Sequence, residues 1–415
     1  MGRRDLFQNI TITLLAVSAL LLFSRTQLFQ LGASAGSGYW QRITAPDSSA
    51  SADAPASDSL SAPVRTAVTG EYGRYGSVSL TTGDEAFIPV KTLLREVLGS
   101  ARSQSDSSRS AFLSALSTAS VYCDFLSSLP VGYIADLMGA SVAESDLSIR
   151  ALAASEEDGQ VLLYLWDGGT RYYRCATAVQ PAALTELQDH FELGVSTFAF
   201  EEAEGGHLAP LSLFPDPLPE LPQLTLGETA VSTETLLTAL GFNPHTNSRY
   251  QDAEGAEVIV EGDRVIRISS GGAFTYASGG ESVLTVDTAG AVPTVREAVV
   301  SVQSLLDALL PDGEAGLYLQ SLTRTGTETV LTFGYQLGGV PIRSSDGAAA
   351  AEVTLSGPSV AALAMRPRQY TAGSTSSLLP LRQAMAIAGR QEGAELSIGY
   401  ADSGAYPLSA VWLAD

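Results

Sequence analysis

Hydrophobic and polar positions follow three regimes along the chain. The first is an apolar run, Ile10 to Phe23, that reads ITITLLAVSALLLF behind Arg3 and Arg4. Extended back to Leu6 or on to Leu31, it reaches the roughly 20 residues an α-helix needs to cross a bilayer. Arg25 near its end is tolerated, because a long cationic side chain reaches back to the interface. The pattern predicts a transmembrane anchor over residues 10–31 behind a cytoplasmic stub of residues 1–9. A cleaved signal peptide is the competing reading. The small-residue sequence Ala33-Ser-Ala35 lies far beyond Phe23, whereas cleavage normally follows close behind the apolar core, so the retained anchor is preferred.

The second regime has no apolar period. After Tyr39-Trp40, an aromatic pair suited to an interface, residues 44–63 are almost entirely Ala, Ser, Asp and Pro. Such a segment has no surface to bury and predicts a flexible stalk over residues 32–69. On that reading, deleting residues up to 65 should leave folding intact.

The third regime is the body, where periods near 3.6 and 2 alternate. Helical spacing marks Ile88 to Leu98 and Ser110 to Leu116; Val161–Trp166 and Thr170–Thr177 read as strands joined by a turn at Asp167-Gly-Gly169. Phe214-Pro-Asp-Pro-Leu-Pro-Glu-Leu-Pro222 interrupts regular structure and marks a boundary. A short helix over Thr233–Leu240 is then followed by strands at Ala256–Val260, Arg264–Ile268 and Ala273–Tyr276. The clearest helix opens on Thr294-Val-Arg-Glu297, a capping box, and carries one apolar stripe from Val295 to Leu309. Strands at Tyr318–Thr323, Thr329–Tyr335 and Glu352–Leu355, a helix at Leu381–Ala388, and strands at Glu395–Tyr400 and Ala410–Leu413 complete the chain. The fold class expected is α+β: a transmembrane helix followed by two to three extracytoplasmic α+β domains with antiparallel sheets. Their expected limits are 70–215, 216–290 and 291–415, the last two sharing an order of one helix and then a small meander.

Charge narrows the function. The 415 residues carry a net charge of −22; Arg3, Arg4 and Arg25 against Asp5 give the first 31 residues +2, leaving −24 for the rest. A body so acidic is unsuited to gripping nucleic-acid phosphates or anionic lipid head groups. Cys123 and Cys175 both fall in strand-like runs, which leaves two readings: a disulfide between neighbouring strands or two separate buried thiols. The strict geometry of a disulfide favours the second.

Signals for catalysis are weak. No metalloprotease, Cys-x-x-Cys, phosphate-loop or EF-hand motif occurs, and His190, His207 and His245 are far apart. Gly32-Ala-Ser-Ala-Gly36 matches a nucleophile elbow in letters but lacks the strand and helix that elbow requires. The acidic clusters Glu201-Glu202 with Glu204, and Glu156-Glu157-Asp158, read as solvated loops. A binding role therefore ranks above an envelope hydrolase, and no catalytic residue, cofactor or metal ligand is assigned. The loop Gly241–Tyr250, dense in polar and aromatic groups, is a candidate binding surface against the simpler reading of a well-capped turn.

The segment Val121-Tyr-Cys-Asp-Phe-Leu-Ser-Ser-Leu-Pro-Val-Gly-Tyr-Ile-Ala-Asp136, behind an anchor and a stalk, resembles the YycH proteins of Gram-positive bacteria. Leu240-Gly-Phe-Asn-Pro244 followed by Arg267 to Tyr276 is similar to the part YycH shares with its smaller relative YycI, and Leu396-Ser-Ile-Gly-Tyr400 with Pro407 and Trp412 fits their C-terminal pattern. The resemblance implies a single-pass, non-enzymatic protein that modulates the WalK sensor histidine kinase through membrane helices and extracytoplasmic domains. Its implied partners are the kinase, a YycI-like protein and the membrane itself. The alternative is an extracytoplasmic binding or envelope-assembly module without a kinase. In the anchor, Ala16, Ser18 and Ala19 are small or polar enough for close helix–helix approach and are the candidate partner-binding residues. Protease added outside cells should release the body by cutting between residues 44 and 63. A mature N-terminus at Gly36, or a fully soluble secreted product, would refute the anchor.

Overall fold

The computed structural model describes residues 61–415, apart from 71–72, 144–146, 203–204, 228–230, 246, 281, 311–312, 390–391 and 415. The expected stub, the anchor with Ala16, Ser18 and Ala19, and most of the stalk lie outside the described residues. Among the described residues no helix is long and apolar enough to cross a membrane.

The first half is built on nine strands: β1 (Pro63–Thr69), β2 (Tyr75–Thr81), β3 (Arg102–Ser107), β4 (Ser120–Pro130), β5 (Ser148–Glu157), β6 (Gln160–Trp166), β7 (Tyr172–Ala176), β8 (Ser196–Phe198) and β9 (Leu213–Pro215). They form one antiparallel sheet in the order β3-β7-β6-β5-β4-β1-β2-β8-β9. Side chains alternate between its faces, and both faces are covered. Val121, Cys123 and Phe125 face helices α1 (Ile88–Ser100), α3 (Val131–Met138) and α4 (Ala182–Gln188), while Tyr122 and Tyr164 face α2 (Arg109–Leu116). There Phe112 of α2 meets Tyr122 and Tyr164 edge-on, with centroids 6.4 and 6.3 Å away. The turn joining β6 to β7 forms as its sequence predicts: Gly168 takes φ +88° and the Gly169 N–H donates to Asp167 Oδ1 at 2.7 Å.

The second half contains β10 (Leu221–Leu226), α5 (Thr233–Ala239), β11 (Ser248–Gln251), β12 (Glu257–Glu261), β13 (Arg264–Ile268), β14 (Phe274–Ser278), α6 (Val295–Asp307), β15 (Gly316–Thr325), β16 (Glu328–Leu337), β17 (Val340–Ser344), β18 (Ala351–Ser356), β19 (Ser359–Met365), β20 (Tyr370–Ser376), α7 (Leu381–Ala388), β21 (Leu396–Asp402) and β22 (Ala410–Ala414). The capping box is complete at α6: Glu297 N–H donates to Thr294 Oγ1 at 3.2 Å and Thr294 N–H to Glu297 Oε2 at 2.8 Å. Ten strands run β11-β12-β13-β14-β19-β18-β16-β17-β21-β22, β15 adds to β16, and β10 pairs separately with β20. Every pairing is antiparallel except β17 with β21.

Two expectations need correction. The limit drawn between residues 290 and 291 falls inside one sheet, because β14 pairs with β19 from Phe274↔Met365 to Ala277↔Ala362. The two helix-and-meander units satisfy each other's open strand edges, a long-range pairing that no local pattern announces. The stalk reading also extends too far. Pro63–Thr69 is an inner strand of the first sheet, buried at all seven positions and flanked by β2 and β4. Its polar Arg65, Thr66 and Thr69 masked it, since they are buried through partners rather than through hydrophobicity.

The halves share their interior. Helix α3 touches α6, β4 lies against β15, and one apolar cluster extends from Val64 and Phe125 to Phe333 and Leu355. Cys123 and Cys175 are separate buried thiols. Their strands are three places apart in the sheet, about 14 Å at the usual strand spacing and beyond disulfide reach. A chain beginning at Thr66 should melt lower than one beginning at Ser61 by roughly 4 °C, from a loss of about 3 kcal/mol. Matching melting curves would return Pro63–Arg65 to the stalk.

Candidate functional site

The chemically densest place among the described residues is a buried charge network where the halves meet. Arg65 on β1 stands directly opposite Asp124 on β4. The register of β4 against β5 shifts between Asp124 and Leu129, with Leu126 at φ +63°, and this irregularity brings Arg150 of β5 beside the same carboxylate. Glu395, just ahead of β21, enters from the other half. Arg65 Nη2 lies 2.6 Å from both Asp124 Oδ2 and Glu395 Oε1. Arg150 reaches Asp124 Oδ1 through Nε at 3.2 Å and Glu395 Oε1 through Nη2 at 2.5 Å. The Leu126 N–H adds a 2.8 Å bond to Asp124 Oδ1, and the Arg150 guanidinium sits 5.4 Å from the Trp166 ring centre.

Two cations and two anions thus balance out of water. Burial pushes the Asp124 carboxyl up, but Arg150 and Arg65 outweigh it and hold the group at about 2. Glu395 is likewise lowered: burial opposes, and the arginines prevail. Arg65 Nε and Nη1 have no hydrogen-bond partner among the described residues, and neither does the buried Tyr122 hydroxyl.

The surrounding seam is closely fitted. Phe214 and Leu208 of the first half pack with Met385, Ala388 and Leu396 of the second, and Phe214 meets Trp412 edge-on at 6.1 Å. Gly339, at φ +82°, approaches so near that a Cβ there would lie 2.4 Å from the Leu80 carbonyl oxygen, so only glycine fits. His207 is half-buried in this seam, with Nε2 3.4 Å from the Met385 carbonyl. Beside the network opens a cleft of ≈ 330 Å³, walled by Arg65, Val78, Leu213, Pro217, Val340 and Ile398. The proline-rich segment expected to mark a boundary forms one wall.

The sequence-derived candidates are scattered by comparison. Glu201 accepts the Tyr75 hydroxyl at 3.1 Å, and Glu157 accepts the Tyr164 hydroxyl at 2.6 Å, so each acidic cluster supplies a partner to a tyrosine at the edge of the core. The Gly241–Tyr250 loop is largely tied down within itself. His245 N–H donates to Asn243 Oδ1 at 2.9 Å, Asn247 Nδ2 to the Asn243 carbonyl at 2.6 Å, and Arg264 lies over Phe242. Tyr250 remains exposed. Gly32–Gly36 lies outside the described residues. No group of three or more His, Cys, Asp or Glu among the described residues is placed to hold a metal ion. The network itself had one visible sign, a carboxylate inside the apolar run Val121–Phe125. An unpaired charge there would be prohibitively costly, so a buried partner is required.

This is a mixed α+β protein with antiparallel sheets, few helices and a charged seam. No family model and no curated protein match the chain. Among solved structures, it is similar to the crystal structure of YycH from Bacillus subtilis: 12% identity, TM-score 0.54, covering 86% of this chain and 94% of that one. The fold is YycH-like, in agreement with the resemblance carried by the short sequence motifs.

Glu395→Gln leaves two guanidiniums facing one carboxylate and should cost about 3 kcal/mol in urea unfolding. Arg171→Ala, which breaks an exposed pair with Asp167 at 3.1 Å, should leave urea unfolding nearly unchanged. Because the carboxyl pKa values are lowered by folding, their contribution is present above ordinary carboxylate values near 4. It declines as pH falls from there toward 2. Equal losses for both variants would remove the network's structural role.

Proposed function

We propose that the protein is a membrane-anchored, extracytoplasmic regulator that modulates a two-component sensor histidine kinase by protein–protein contact. The observation that carries this reading is the YycH-like fold over 86% of the chain. It is joined by the uncharged apolar run from Ile10 to Phe23 behind two arginines. The regulatory role implied by the YycH resemblance supplies the partner class, with a YycI-like protein as the second candidate partner.

The mechanism is a coupling free energy. A partner bound by the body, or a ligand in it, favours one arrangement of the two halves, and the anchor biases the kinase helices between two states. The charged seam suits such a role: close ion pairs favour one docked arrangement, and losing it leaves charges without partners. In the bilayer, lipid tails do not drive helices together as water does, so association depends on small residues and cross-helix hydrogen bonds. Ala16 and Ala19 provide close approach, and Ser18 a hydrogen bond worth on the order of 1 kcal/mol.

A tagged full-length chain extracted in detergent should retain a sensor histidine kinase. Exchanging Ile10–Phe23 for an unrelated leucine-rich helix should keep the protein in the membrane and weaken control of a kinase-dependent reporter. Kinase output unchanged at equal protein level reduces the helix to a tether. If no kinase is retained and deletion of the gene leaves the reporter unaltered, the envelope-assembly alternative takes its place.

A further inference from the structure

A second cleft, remote in character from the seam, has a charge opposite to that of its surroundings. It has a volume of ≈ 350 Å³ and is lined by Arg343, Arg366, Arg368, Tyr370 and Asp402, with Ser345 at its rim. The chain has 45 acidic residues against 23 Lys and Arg, whereas here three arginines meet two carboxylates, Asp402 in the wall and Asp346 beside the rim, so the general ratio is reversed. Asp402 is already engaged. Asp402 accepts hydrogen bonds from the Tyr370 hydroxyl at 2.7 Å, from the Tyr406 hydroxyl at 2.9 Å and from the Gly404 N–H at 2.9 Å.

The arginines are held in place from beneath. The Tyr335 hydroxyl donates to the Arg366 carbonyl and accepts from the Arg368 N–H, each at 2.9 Å, pinning the backbone of both across Pro367. Asp346 fixes Arg366 further, at 2.7 Å from Nη1, and accepts from Ser344 Oγ and the Ala348 N–H to shape the rim. Arg343 is the penultimate residue of β17, whose parallel pairing with β21 aligns Arg343 with Ala401 and Ser344 with Asp402 at the cleft. The Arg368 side chain is half-buried and makes no ion pair with a described carboxylate.

We propose that this cleft binds a small polar polyanion, gripping its carboxylate or phosphate oxygens with Arg343, Arg366 and Arg368. The guanidinium fork matches both oxyanions, and the volume is that of a small-ligand site. The site stands independently of the kinase reading, and its test uses no kinase.

The full chain, purified in detergent, would be titrated calorimetrically with citrate and with inorganic phosphate, with sodium chloride at matched ionic strength as reference. Citrate or phosphate should bind saturably beyond the chloride effect; tighter citrate marks a polycarboxylate ligand and tighter phosphate a phosphorylated one. Arg368→Gln and the exposed Ser345→Glu should each weaken binding at least tenfold, whereas Arg171→Ala should leave it unchanged. Ser345→Glu decides the matter if Arg368→Gln fails to fold. No binding beyond chloride, or binding within threefold of the parent in Ser345→Glu, overturns the proposal.

Discussion

Four ionised groups taken out of water at one point constrain everything around them. Arg65, Asp124, Arg150 and Glu395 come from three strands of one sheet and from the approach to a strand of the other. Desolvating any of them alone is costly, so all must arrive together. Strand β1 must therefore lie beside β4, the β4–β5 register must shift, and the second half must dock closely enough for Glu395 to reach both arginines. The seam around the network follows from this, down to a glycine at 339 that no side chain can replace.

A sheet covered on both faces also explains why the first half tolerates polar strand residues. Period-two alternation places Cys123 and Phe125 under three helices and Tyr122 under α2, so the strand reads as a nearly continuous apolar run. Thr66 and Arg65 survive there because each has a polar or ionic neighbour: Cys123 Sγ lies 3.8 Å from Thr66 Oγ1, and Asp124 faces Arg65. The thiol itself is chemically quiet, since burial pushes its pKa up to about 12. The second half uses a different economy, in which two helix-and-meander units join edge to edge through β14 and β19.

The two clefts differ in chemistry. The one beside the network is largely apolar and lies between the halves, where anything inserted would act on their docking. The arginine-lined one lies within the second half, against the paired strands β16, β17 and β21. One cleft thus offers apolar surface between the halves and the other offers arginines within the second half.

Much of this was legible in local pattern. The α6 capping box, the Asp167-Gly-Gly169 hairpin, the helix at Leu381–Ala388 and the meander from β12 to β14 are written in residues near one another in the chain. The short motifs from Val121 to Asp136 and from Leu240 to Pro244 carried the YycH-like fold as well. Hydrophobic period and capping chemistry are short-range and suffice for such elements. Only the tertiary structure decided that Pro63–Thr69 is core rather than stalk, that β11–β14 join β15–β19, β21 and β22 in one sheet, and that Asp124 finds its counter-charges 59 residues upstream and 26 downstream. Those outcomes depend on pairing free strand edges and buried charges across long stretches of chain. A residue's partner, not its own polarity, then determines whether it can be buried.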